Sequence, residues 1–208
     1  MEDVLAVYTR PFDERFPQLC MDEGCKQLVR SKREALPMRP GQAACEDYEY
    51  EPQGWCNVFV VCEPLGGRRF LQVYERRTKE EWASFMREVI DEQYPQAEKI
   101  ILVMDNLNTH TTASFYEVFT PEEAFRLSQK LEIHYTPRHG SWLNMAEIEL
   151  SVLARQALAE RLATMAQVQA RVAAWQQRRN QQQAGISWRF TSQDARIKLA
   201  RLYPSLEA

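Results

Sequence analysis

Residues 99–110 of the chain read KIILVMDNLNTH, and this stretch decides the fold. The apolar residues 100–104 form a continuous run that is too short for a helix of its own and is typical of a strand buried on both faces. The run ends on Asp105, at the end of the predicted strand. A strand of this kind belongs to a sheet covered by other elements on both sides, which predicts an α/β protein.

The segments on either side supply the rest of the sheet. Residues 55–63 and 68–75 are rich in β-branched and aromatic residues and flank the turn sequence PLGG, so they predict a hairpin. Capping patterns predict helix starts at Thr78, at Thr164 and at Thr120, the last of which is followed by a proline. The other predicted elements are strands at 18–23, 99–104 and 131–136 and helices at 79–92, 121–130, 145–162 and 165–183; 111–119 is ambiguous. This order predicts a five-stranded sheet with mixed antiparallel and parallel pairing.

Composition excludes several classes of protein. The 208 residues contain no stretch approaching the roughly 20 apolar residues of a membrane span. The acidic start MEDVL lacks the features of a secretory signal. We therefore expect the protein to work in the cytoplasm and to have no membrane partner. Five cysteines without a C-x-x-C pair predict reduced thiols: Cys20, Cys25, Cys45, Cys56 and Cys62.

Charge is distributed unevenly along the chain. The net charge of −3 combines −9 over residues 1–150 with +6 over residues 151–208. A basic tail on an acidic body matters if the partner is a polyanion. Alternatively, the charged residues of the tail form an ordinary solvated surface and bind no polyanion.

Three carboxylates follow predicted strands or begin a helix near them. Asp22 ends the first strand, Asp105 ends the buried strand, and Glu147 lies early in the helix after the fifth strand. Carboxylate oxygens are hard ligands that hold Mg²⁺ or Mn²⁺. Two such ions activate an attacking hydroxyl and stabilise a leaving oxygen in phosphodiester chemistry. Each residue also has an ordinary interpretation, as a strand-end acid, a turn former or a capping residue.

Four longer motifs carry a family resemblance. MDNLNTH (104–110), YTPRHGSWLNMAEIELSVLARQ (135–156), WQQRRN (175–180) and ISWRFTSQDARIKLARLYP (186–204) resemble bacterial mariner-like transposases of the insertion sequence 630 family, within the DDE endonuclease superfamily. The resemblance spans the chain from Asp22 onward. It implies a ribonuclease H-like fold with a C-terminal helical extension, two Mg²⁺ or Mn²⁺ ions, cleavage of transposon ends and strand transfer into target DNA.

The resemblance also implies roles for individual residues. Asp22, Asp105 and Glu147 match the catalytic and metal-binding acids, with Glu149 as the alternative third acid. The interval from Asp105 to the third acid is longer than usual in these relatives, because of the helix predicted at 121–130. We expect Asn106 and His110 to support the loop around Asp105. The catalytic domain is predicted at 1–163 and the helical extension, packed on it, at 164–208.

Five residues are candidates for nucleic-acid binding. A basic loop is predicted from residue 26 to residue 40, and Arg138, His139 and Trp142 precede Glu147 in a second loop. Basic side chains contact phosphates, and an exposed indole stacks on a base. Trp142 packing against the core is an equal alternative. The candidates are Lys26, Arg30, Arg138, His139 and Trp142.

The expected partners are double-stranded DNA at transposon ends and targets, and a second copy of the chain on that DNA. Family members carry helix-turn-helix domains ahead of the catalytic domain, and this chain has no room for them before Asp22. Three explanations are open: the chain is a truncated piece of a transposase, one reading frame of a split transposase, or a decayed element. In a split transposase, a separate helix-turn-helix polypeptide would supply end recognition. Two alternatives remain: another nuclease of the ribonuclease H fold, or a catalytically silent remnant that acts as a binding protein.

Overall fold

The computed structural model describes residues 1–33, 38–43, 48–107 and 110–203. These residues form five strands and seven α-helices. The strands are β1 (Gln18–Ser31), β2 (Tyr50–Glu63), β3 (Arg68–Tyr74), β4 (Ile100–Met104) and β5 (Leu131–Tyr135). The helices are α1 (Glu2–Val7), α2 (Lys79–Glu88), α3 (Ala113–Val118), α4 (Pro121–Gln129), α5 (Met145–Gln156), α6 (Met165–Gln181) and α7 (Ser192–Lys198).

The five strands form one mixed sheet in the order β3-β2-β1-β4-β5. Strands β1, β2 and β3 run antiparallel to their neighbours within that group, whereas β4 is parallel to both β1 and β5. The predicted mixed five-stranded sheet is therefore confirmed. β4 lies between β1 and β5 and all five of its residues are buried, as the apolar run predicts.

Helices cover both faces of the sheet. Alternate side chains of a strand point to opposite faces, so β2 sends Val58 and Val60 to one side and Phe59 and Val61 to the other. The first side packs against α1, α5 and α6, and the second against α2, α3 and α4. Two apolar cores result, separated by the sheet. Helix α6 packs directly on the edge strand β3.

Capping patterns locate several helix starts correctly. Thr78 and Glu81 form a reciprocal capping box at α2, and Thr164 and Gln167 form another at α6. Thr120 accepts a hydrogen bond from a backbone N–H of α4. Helix α2 continues into a π-helical turn, Val89–Gln93, so the predicted helical segment 79–92 is present with a wider last turn. The short helices α1 and α7 were not predicted.

The prediction of a single helix over 145–162 is wrong at its end, because α5 stops at Gln156. The backbone that follows is bound by β1. Lys26 donates to the carbonyls of Leu158 and Glu160, and the Val29 N–H donates to the Leu162 carbonyl at 2.7 Å. Val29 lies at an irregularity in the pairing of β1 with β2, which leaves its N–H free for this contact.

The prediction of a basic loop from residue 26 is also wrong over its first part. Strand β1 continues through Lys26 and Arg30 to Ser31, and it is paired with β2 from Cys20 to Ser31 apart from the irregularity. The backbone ladder with β2 outweighs the charged composition, because cross-strand hydrogen bonds depend little on side-chain polarity. Residues 34–37 of that segment lie outside the described residues.

Two further sequence expectations concern cysteines and membrane spans. Cys20, Cys25, Cys56 and Cys62 are free thiols, and Cys45 lies outside the described residues. In the described part of the chain, no helix has the length and apolar character needed to cross a membrane.

Candidate active site

Asp22 and Asp105 lie on adjacent parallel strands. The last paired residues of β1 and β4 are Cys20 and Val103, and each aspartate follows two positions later. Parallel strands in register carry such residues to the same edge of the sheet, so the two carboxylates are neighbours. Asp22 lies within the long strand β1 rather than at its end, which differs from the prediction.

Asn144 connects the start of α5 to β1. Its side-chain oxygen accepts from the Ala146 N–H at 3.1 Å and caps the helix. Its amide nitrogen donates to the Met21 carbonyl at 2.7 Å and to Asp22 Oδ2 at 3.3 Å. Glu147 follows three residues later, on the first turn of α5. The capping residue thereby places the first turn of the helix beside Asp22.

His110 bridges two carboxylates below the loop that follows β4. Its Nδ1 lies 2.5 Å from Asp105 Oδ1 and its Nε2 lies 2.7 Å from Glu23 Oε2. The imidazole and Glu23 are buried, with 1% and 3% of their side chains exposed. Burial by itself would lower the pKa of His110, but the hydrogen bonds to Asp105 and Glu23 raise it to about 9. His110 is therefore an imidazolium at neutral pH, and it orients Asp105 through one oxygen.

The carboxylates repel one another at Asp22. Burial raises the pKa of Asp22 to about 7, and the negative charges of Asp105, Glu147 and Glu23 add to this increase, against a hydrogen bond from the Glu23 N–H. These charges act on Asp22 because the four side chains lie close together. Together these side chains carry negative charge that a cation would neutralise.

The donor set fits a divalent cation in chemical type and in charge. Mg²⁺ and Mn²⁺ prefer carboxylate oxygens, and Asp22, Asp105 and Glu147 supply them from three different elements. Across the described ranges, no three His, Cys, Asp or Glu side chains already lie at the spacing of a metal site. The sequence prediction of the three acids therefore stays a prediction, with Asp22 and Asp105 brought together by the sheet and Glu147 brought near by Asn144.

An open cavity of about 410 Å³ adjoins Asp105. Asn106, Arg138 and His139 line it, and Arg138 and His139 are exposed. His139 adopts a left-handed backbone conformation with φ of 61°, which turns the loop at this point. The predicted supporting residue Asn106 and the two basic residues thus share one cavity beside a predicted catalytic acid.

Trp142 combines the two interpretations that the sequence left open. The indole is 45% exposed, and its inner side packs against the tail aromatics Trp188 and Phe190, with ring centroids 6.5 Å and 5.5 Å away. Its partners come from the C-terminal segment, so sequence position alone could not identify them. One side of the ring remains available for contact with a base.

Lys26 and Arg30 lie farther along β1 than the carboxylates. Lys26 Nζ is held by the carbonyls of Leu158 and Glu160, at 2.6 Å and 3.2 Å, so its charge stabilises the chain after α5. Arg30 is exposed and hydrogen-bonds to Gln53 at 3.0 Å. The structure therefore separates these two residues from the group formed by Arg138, His139 and Trp142.

The contacts of two carboxylates near the site, Glu23 and Glu149, were not identified from the sequence. Glu23 follows Asp22 directly, and since successive strand residues point to opposite faces, it lies on the side of His110. Glu149, the alternative third acid, is buried in ion pairs with Arg69 and Arg179, each with an N–O distance of 2.8 Å. Those ion pairs argue against Glu149 as a metal ligand. No local sequence pattern reveals either contact, because the partners are distant in the chain.

Three solved structures with a similar fold are complexes of the Mos1 transposase. The Mos1 mariner paired-end complex with Mn is 16% identical with a TM-score of 0.55, and the alignment covers 87% of this chain and 55% of that one. The Mos1 paired-end complex with the left transposon end is 15% identical with a TM-score of 0.55, and the alignment covers 88% of this chain and 58% of that one. The Mos1 strand transfer complex is 14% identical with a TM-score of 0.57, and the alignment covers 87% of this chain and 55% of that one. The chain thus spans little more than half the length of these structures. At this identity the likeness concerns the fold, which is ribonuclease H-like, as predicted.

Comparison with curated protein sequences gives no match. The sequence model of one family, described as DDE superfamily endonuclease, matches residues 17–169. The matched segment is most of the chain and contains all five strands together with Asp22, Asp105 and Glu147. The chain therefore belongs to the DDE superfamily endonucleases.

Proposed function

We propose that the chain is the catalytic part of a mariner-like transposase, which cleaves DNA phosphodiester bonds at transposon ends and joins the freed ends to target DNA. The observation that carries this proposal is the position of Asp22 and Asp105 at one edge of adjacent parallel strands, with Asn144 holding α5 and Glu147 beside them. Family membership and the fold shared with Mos1 complexes of transposon ends and strand transfer support it.

In this proposal Asp22, Asp105 and Glu147 are the catalytic acids and would hold two Mg²⁺ or Mn²⁺ ions. Bound ions of this kind lower the pKa of an attacking hydroxyl and stabilise the leaving oxygen. His110 orients Asp105 through its 2.5 Å hydrogen bond, and Glu23 holds His110 from the other side at 2.7 Å. Asn106 lines the cavity beside Asp105.

Duplex DNA would approach the cavity lined by Arg138 and His139. The exposed face of Trp142 lies in the adjoining loop, so phosphate contacts and base stacking are available next to the acids. Arg30 is exposed and would contact the backbone farther away, whereas Lys26 is occupied by carbonyl groups. We further propose that the chain works in the bacterial cytoplasm, associated with the nucleoid, as a homodimer on DNA, with end recognition supplied by a helix-turn-helix segment or polypeptide.

The experiment is metal-dependent DNA cleavage and joining. Supercoiled plasmid and a labelled duplex with a free 3′-hydroxyl are incubated with Mg²⁺ or Mn²⁺ and the chain, its Asp105→Asn variant or its Asp91→Asn variant. Asp91 is a suitable control because it is an aspartate in a surface ion pair with Arg126, at 2.7 Å. Circular dichroism verifies that each variant is folded.

Each result has a defined meaning. Metal-dependent nicking and joined product in the unmodified chain and in Asp91→Asn, both lost in Asp105→Asn, are the expected results. Nicking without joining would favour another nuclease of this fold. Absence of cleavage in the folded chain, also after addition of a helix-turn-helix partner, would favour the silent binding protein.

A further inference from the structure

Helix α5 carries a buried carboxylate that faces away from the proposed metal ligands. Glu149 is 1% exposed and accepts two hydrogen bonds from Arg69 of β3, from Nε and from Nη2, each 2.8 Å long. Arg179 of α6 donates a third bond through Nη2, also 2.8 Å long. The remaining donors of Arg69 bind the carbonyls of Gly67 and Ala184. This charge cluster therefore joins β3, α5, α6 and the segment after α6.

The geometry of the cluster is strict because its charges are buried. A carboxylate removed from water is tolerated only when it is paired and hydrogen-bonded, so Glu149 cannot leave its two guanidinium partners without a large penalty. The bidentate contact with Arg69 also fixes direction, since the planar guanidinium matches the carboxylate in one orientation. Helix α5 is thus held at Glu149 both in position and in rotation.

A second contact fixes the same rotation from a face of α5 about 100° away from Glu149. Leu150 packs over Gly24 of β1, where a Cβ would lie 3.2 Å from a Leu150 methyl group. Glu147 lies two residues before Glu149, about 200° away around the helix axis. A rotation of α5 by roughly 20° would move a side-chain tip by about 2 Å, given a helix radius of about 5–6 Å with side chains. Distances between a metal ion and its ligands vary by only about 0.2 Å.

We propose that Glu149, Arg69 and Arg179 are positioning residues that hold Glu147 at the distance from Asp22 and Asp105 that a divalent cation requires. This inference rests on the proposed function and adds a role for α6. The family match ends at residue 169, whereas Arg179 lies beyond it. The catalytic unit therefore includes all of α6, and the third acid depends on the part of that helix beyond the matched segment.

The test measures Mn²⁺ binding to the intact chain by water-proton relaxation, without DNA or turnover. Arg179→Gln removes one partner and leaves the Arg69–Glu149 pair, so the chain keeps its fold. Arg171→Gln is the matched control, because Arg171 lies on the same helix in a surface ion pair with Glu160. Arg179→Lys restores the charge, since a single Nη2 of Arg179 makes the contact.

We expect about tenfold weaker Mn²⁺ binding for Arg179→Gln, a typical effect of residues that orient metal ligands. Arg171→Gln binds as the unmodified chain does, and Arg179→Lys recovers most of the affinity. In Arg179→Gln combined with Glu147→Gln, binding is no weaker than in Glu147→Gln alone, because Arg179 acts through Glu147. If Arg179 had a purely structural role, Arg179→Gln would lower thermal stability, and its effect on Mn²⁺ binding would not depend on Glu147.

Two results overturn the inference in different ways. Mn²⁺ binding that Arg179→Gln leaves unchanged, or that decreases additively in the double variant, refutes the positioning role and leaves the proposed function standing. Failure of the unmodified, folded chain to bind Mn²⁺ refutes the proposed metal site itself, and the positioning role with it.

Discussion

Replacement of His110 by alanine tests the buried bridge beneath the proposed site. His134 provides an unusually close control, because it also lies between two carboxylates, Asp3 at 2.8 Å and Glu132 at 2.9 Å. The two imidazoles are 1% and 11% exposed, so their removal costs similar packing energy. The carboxylates differ: Glu23 is buried, whereas the partners of His134 are 66% and 37% exposed.

The expected difference follows from the fate of the remaining carboxylates. Loss of His110 leaves Glu23 buried without its cationic partner, and breaking a buried pair in this way costs about 3–5 kcal/mol. Loss of His134 leaves two carboxylates in water, where such a pair contributes about 0–1 kcal/mol. His110→Ala should therefore destabilise the chain by roughly 2–4 kcal/mol more than His134→Ala at pH 7.

Urea denaturation monitored by circular dichroism, with a chelator present, measures both variants under the same conditions. Equal free energies of unfolding for the two variants would refute the reasoning, because they would mean that Glu23 and Asp105 do not depend on His110. A large loss in His134→Ala alone would contradict it as well. The comparison concerns folding only, so its outcome is independent of DNA cleavage.

Three further predictions concern the stability of the folded chain. Gly67→Ala should lower the free energy of unfolding by more than about 2 kcal/mol, because φ of Gly67 is 67° and the new Cβ would lie 2.6 Å from the Gln183 backbone. Gly41→Ala should lower it by only about 1 kcal/mol, because Gly41 has a φ of 79° but open space around it. Thermal unfolding measures both variants. Asn144→Ala should lower the free energy of unfolding by about 2 kcal/mol, since it removes both a helix cap and a buried hydrogen bond to β1. A decrease below about 0.5 kcal/mol in urea denaturation would contradict this. Burial raises the pKa of Glu63, so the folded state opposes ionisation and the free energy of unfolding falls as pH rises above the unfolded pKa of about 4.3. Glu63→Gln should remove this fall. If the melting temperature of Glu63→Gln follows that of the unmodified chain at every pH, the prediction is wrong.

The sequence by itself determined most of the strands and helices, although not the short helices α1 and α7. The apolar run 100–104 predicts a central strand, and the structure buries every residue of it in β4. The capping residues Thr78 and Thr164 predict helix starts that the structure has. These features are local: periodicity and capping act within a few residues, so the sequence displays them directly.

Long-range contacts were decided only by the tertiary structure. The length of β1 depends on pairing with β2, and the end of α5 depends on Lys26 and Val29. The partners of Glu23 and Glu149 lie 87 and 80 residues away in the chain, at His110 and Arg69. A buried carboxylate and an exposed one look alike in a sequence, because burial is a property of the packed sheet and helices. The tertiary structure therefore decided which acids lie at the proposed site and which ones are buried against His110, Arg69 and Arg179.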